Sequence, residues 1–92
     1  MPRKRTPADA AAGKLILELQ RAAARHWDSL EKHYFADAVV SRAHDIHQAI
    51  IGKRLPEALG SRTIRQYLDA GWVLDEPGVQ VALQHLESAL DV

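Results

Sequence analysis

The sequence predicts an all-α fold: a small orthogonal or up-down bundle of four main helices, at about residues 7–33, 37–51, 61–70 and 77–90, with a short turn at 56–59. Three observations predict it. Apolar residues recur with a helical period over most of the chain. Ser, Thr, Asp, Gly and Pro stand where helices would start and stop. The run Trp72, Val73 and Leu74 is too short for a useful strand and reads as a connector plugging into the core. With 92 residues there is room for one domain, 7–92, behind a basic arm at 1–6 expected to stay disordered until it meets something anionic.

The first helix opens on Thr6 as N-cap, Pro7 at the first helical position and Asp9 at the third, a T-x-x-D form of the capping box. Its apolar stripe runs Leu15, Ile16, Leu19, Ala22, Ala23, Trp27, Leu30 and Tyr34, opposed by Lys14, Glu18, Arg21, Arg25, Asp28 and Lys32. The stretch 34–51 is the centre of the chain. Phe35, Ala38, Val39, Val40, Ala43, Ile46, Ala49, Ile50 and Ile51 cover more than half of its circumference, so it is expected to be buried on several sides. Arg42 and His47 are the two polar side chains set inside that apolar arc.

No Gly or Pro interrupts Lys14 to Ile51. A single straight helix would nevertheless place the apolar faces of its two halves about 160° apart. A hairpin near 31–37 resolves this, with Asp37 as the second N-cap; the alternative is one long helix whose halves serve different subunits of a swapped dimer. Gly52 with Lys53 and Arg54 ends the central helix. Pro56 opens the turn PEAL, Ser61 caps the third helix with Ile64, Tyr67 and Leu68 on its apolar side, and Asp75 or Glu76 with Pro77 starts the last, which carries Val79, Ala82, Leu83, Leu86 and Leu90.

Composition narrows the function. Fifteen alanines inflate the apolar fraction, leaving few side chains able to fill a core. A thin core is commonly remedied by a second subunit, so a homodimer is expected. The absence of cysteine removes disulfides, thiolate metal sites and a Cys nucleophile. No run approaches the ~18 apolar residues of a membrane span and the N-terminus lacks the apolar core of a secretory signal, so the expected location is cytoplasmic, with no membrane partner. Heavy Ala and Arg usage fits a GC-rich bacterial genome. All twelve Lys and Arg lie at or before Arg65, giving a basic front and an acidic tail at zero net charge. That asymmetry suits a polyanion-binding face or two copies docking basic end to acidic end.

Five histidines invite a metal reading, but neither an i, i+4 His pair on one helix nor a thiolate is present, so no metal and no other cofactor is expected. Arg42 and His47 form R-A-H-D-I-H, which resembles the Arg/His signature of the HEPN superfamily of helical, often dimeric, metal-independent ribonucleases. The resemblance implies His47 as acid or base toward a ribose hydroxyl and Arg42 on the phosphate. On one helix the two side chains diverge by roughly 140°, and either residue equally suits a structural role: Arg42 capping another helix or pairing with a carboxylate, His47 satisfied at the core boundary.

LPEALG followed by SRTIRQYLDAG resembles the helix-turn-helix of bacterial regulators, in a degenerate form at 55–71 with a shorter turn and a first helix cut to one turn by Pro56. It implies nucleic-acid contacts from Lys53, Arg54, Arg62, Thr63, Arg65 and Gln66, with Arg3, Lys4 and Arg5 of the arm adding phosphate or minor-groove contacts. Trp27, Tyr34, Tyr67 and Trp72 are the aromatic candidates for a subunit or partner interface, whereas Phe35 belongs more readily to the core. The reading that results is a small non-enzymatic regulatory or adaptor protein acting through another protein, as a homodimer, with nucleic-acid binding and then ribonuclease activity as the alternatives.

Overall fold

Thr6 Oγ1 accepts a hydrogen bond from the Asp9 amide at 3.1 Å, and with Pro7 in the first turn this starts α1, Pro7–Arg25. The computed structural model describes residues 6–90. Five more elements follow: α2 (Leu30–Ile51), two single-turn helices α3 (Leu55–Leu59) and α4 (Ile64–Leu68), a 3-10 turn (Gly71–Asp75) and α5 (Pro77–Leu90). The described residues contain no strand, and no described helix is long and apolar enough to cross a membrane.

The hairpin between the first two helices falls earlier than its expected place at 31–37. α1 ends at Arg25 and α2 begins at Leu30, so Asp37 is an exposed mid-helix residue rather than an N-cap. Ser29 takes the capping position instead, its hydroxyl 3.5 Å from the Lys32 amide. The physical cause lies in the stripe itself: α1 exhausts its buried face at Ala22 and Ala23, and Trp27, Leu30 and Tyr34 are carried past the core into solvent. The chain then runs back antiparallel, with His33 Nδ1 3.0 Å from the Ala23 carbonyl near the turn and His47 meeting Asp9 at the far end.

α2 packs against α1, α3 and α4, while α5 lies along the other side of α1. α2 buries Ala36, Val39, Val40, Ala43, Ile46 and Ala49. Phe35, expected in that core, is 37% exposed at its edge. α1 contributes Leu15, Ile16 and Leu19, and α5 Val79, Leu83 and Leu86. Of the twenty buried apolar residues described, eight are alanine and none is aromatic. The core is therefore thin, and every ring in the chain stands at or near the surface.

α4 is shorter than the helix expected at 61–70. Thr63, not Ser61, is its N-cap, in a complete capping box: the Gln66 amide donates to Thr63 Oγ1 at 3.1 Å and the Thr63 amide to Gln66 Oε1 at 2.8 Å. It ends at Leu68 because Asp69 adopts a left-handed conformation, φ 45°. Two residues on, Gly71 has φ 53° and its Cα faces Phe35, so that a Cβ would sit 3.1 Å from Phe35 Cζ. The 3-10 turn that follows drives Val73 fully into the core, with Trp72 and Leu74 partly buried beside it.

Candidate interaction surface

Arg42 leaves α2 toward the end of α4. Its Nε donates to the Leu68 carbonyl at 2.7 Å and its Nη2 to the Asp69 carbonyl at 3.5 Å. A fixed cation thus meets the negative end of a helix at its left-handed cap. His47 points elsewhere, to α1, where its Nε2 is 2.7 Å from Oδ1 of Asp9, a carboxylate only 1% exposed. The helical pitch that separates the two side chains sends them to different elements, so within one chain they do not converge on a common phosphate. Asp9 reads from the sequence as a capping residue; its burial follows from its place three before Ala12 on the apolar side of α1.

The other histidines are dispersed. His26 contacts Glu76 and Trp72, His33 the Ala23 carbonyl, and His44 and His85 are exposed. Among the described residues no three His, Cys, Asp or Glu side chains gather where a metal could be held.

The basic segment is exposed but much of it is engaged. Arg65 makes a two-pronged contact with Glu87, both distances 2.9 Å, and that hydrogen bonding holds its guanidinium above its ordinary basicity against the opposing pull of desolvation. Arg62 Nε donates to the Leu59 carbonyl at 3.2 Å, and its guanidinium carbon lies 5.0 Å from the centre of the Tyr67 ring. Thr63 and Gln66 are occupied by the capping box, while Lys53 and Arg54 project from the α2–α3 connection. The order helix, turn, helix is present, yet a five-residue α4 is only about 7.5 Å long and offers a groove little beyond Arg65. Arg3, Lys4 and Arg5 lie outside the described residues.

The aromatic candidates divide into two groups. Tyr67 is half-buried on α4, its hydroxyl 3.4 Å from Asp45 Oδ2. The rest gather at the corner where α1 turns into α2: Trp27 is 77% exposed, Leu30 67% and Tyr34 66%. Leu30 and Tyr34, one turn apart, share one face of α2. About a third of a turn round α2 from that face, Ser29, Glu31, Lys32, Phe35 and Trp72 bound a cleft of about 390 Å³. Its floor is fixed from behind. The Trp72 ring lies 6.0 Å from Phe35 and meets His26 edge-on at 4.6 Å, and Glu76 ties down both His26 and Arg25, the latter at 2.9 Å. The Lys32 ammonium stands 6.0 Å from the Trp72 ring centre at the mouth. The sequence pattern places Leu30 in a buried stripe and offers Asp75 or Glu76 as a helix cap; the roles of Leu30 and Glu76 at this corner depend on where the hairpin falls.

Compared with protein-family models, with curated proteins and with solved structures, the chain shows no match.

Proposed function

We propose that the chain is a small non-enzymatic regulatory or adaptor protein that acts through protein–protein interaction, as a homodimer formed through the α1–α2 corner. The observation that carries this reading is the placement of the aromatic residues. In a chain short of core-filling side chains, Trp27, Leu30 and Tyr34 are spent on solvent beside an aromatic-walled cleft. Exposed apolar groups so concentrated favour an interface, where aromatic anchors supply a disproportionate share of binding energy. The pair that resembled a nuclease centre supports the same reading, since Arg42 is committed to α4 and His47 to Asp9.

Light scattering on a size-exclusion column tests the homodimer: twice the chain mass is expected at high concentration, and a monomer up to millimolar concentration refutes it. A second reading, nucleic-acid binding, is favoured by the exposed cations Lys53, Arg54 and Arg62. It requires a salt-sensitive shift of duplex DNA or RNA that an Arg54→Ala/Arg62→Ala variant loses.

A further inference from the structure

We infer that two copies of the chain pair about a two-fold axis at the α1–α2 corner, each inserting Trp27 into the other's cleft between α2 and the 3-10 turn. This rests on the homodimer reading and specifies its interface.

The first argument is geometric. A two-fold contact closes only if the projecting group and its receptor belong to one continuous patch, because each copy must offer both at once. Trp27 is two residues before Ser29, the first wall of the cleft, and Leu30 and Tyr34 flank it about a third of a turn round α2. A projection and a cavity set far apart would instead propagate into open chains.

The second argument is chemical. The cleft is walled by the Trp72 and Phe35 rings, the surroundings an indole prefers, and its lining includes the Ser29 hydroxyl and Glu31 carboxylate, either able to accept the indole N–H. Asp28 follows Trp27 directly, and Lys32 stands at the cleft mouth. An inserted Trp27 therefore brings Asp28 to the partner's Lys32, twice over by symmetry, so that the charges at the contact complement one another.

The third argument is area. At their observed exposures Trp27, Tyr34 and Phe35 offer roughly 270–450 Å² per copy. Leu30 and the polar rim bring two copies to about the 1,000 Å² that a specific contact needs.

Sedimentation equilibrium on the full chain tests the inference. Wild type should dimerise, and Trp27→Ala should raise the dimer Kd at least about 30-fold with an unchanged circular dichroism spectrum. Two charge reversals supply a test independent of Trp27. Asp28→Lys and Lys32→Asp should each weaken self-association, while an equimolar mixture of the two should associate several-fold more tightly than either alone, because only the mixed dimer restores both opposite-charge pairs. Attraction within one chain cannot produce that recovery. If wild type dimerises and Trp27→Ala dimerises equally well, or the mixture shows no gain, the exchange is overturned and the homodimer stands. If wild type stays monomeric throughout, the homodimer reading itself falls.

Discussion

Replacing Arg42 with alanine removes the side chain that ties the centre of α2 to the carbonyls at the end of α4. The lost contacts are a 2.7 Å hydrogen bond from a charged donor to the Leu68 carbonyl and a marginal 3.5 Å one to Asp69. The first is worth about 1.5–3 kcal/mol where solvent is excluded, and a cation at a helix C-terminus adds about 0.3–1 kcal/mol. Arg42 is half-buried, so water replaces part of both, and the expected loss is about 2 kcal/mol. For a domain of this size that lowers Tm by roughly 8–16 °C. Urea denaturation read by circular dichroism measures it, with Arg42→Lys as the control: a compact ammonium keeps the charge without the planar fork and should recover less than half of the loss. Hydrogen exchange should quicken first at the amides of α4, whose left-handed cap Arg42 steadies. A loss below about 0.5 kcal/mol, or full recovery by lysine, would show that the carbonyls of Leu68 and Asp69 are equally well served by solvent.

Three further outcomes follow from the same contacts. His47→Ala should cost about 1–3 kcal/mol in urea denaturation, because it strips a hydrogen bond from the buried Asp9 carboxylate; an unchanged midpoint would mean that the imidazole is not holding α1 to α2. Gly71→Ala should destabilise by about 2 kcal/mol, combining a left-handed backbone with a Cβ pressed on Phe35, and should also perturb the near-ultraviolet spectrum through Trp72. Lys53→Gly, at an exposed site with φ 55°, should raise stability by about 0.5–1 kcal/mol in the same assay, and a destabilised variant would argue against the left-handed conformation there.

The thin core and the aromatic corner are two sides of one distribution. Alanines at Ala22, Ala36, Ala43 and Ala82 let the three long helices approach closely, and close approach leaves no space between them for an indole or a phenyl ring. Rings excluded from the interior must collect where an element overhangs it. The first turns of α2 overhang the bundle, and the 3-10 turn carries Trp72 to the same corner.

Local sequence determined what local physics can determine. The all-α fold, the Thr6 cap, the end of α2 at Gly52, the turn at Pro56, the connector Trp72–Leu74 and the last helix from Pro77 could each be read from period, cap or breaker, since these depend on a few neighbouring residues, although Lys53 and not Gly52 takes the left-handed conformation after α2. The break between α1 and α2 could not. His26, Trp27, Asp28 and Ser29 are all compatible with helix, so the turn is set by where α1 runs out of α2 and α5 to pack against, a quantity that exists only after the helices have docked. The same holds for the site. Composition and spacing singled out Arg42, His47 and the aromatic residues, but the partners Leu68, Asp9 and Glu76 are 26, 38 and 50 residues distant from Arg42, His47 and His26 respectively. Side-chain pattern specifies which face of a helix is apolar; only tertiary packing decides which part of that face meets protein and which is left to meet a partner.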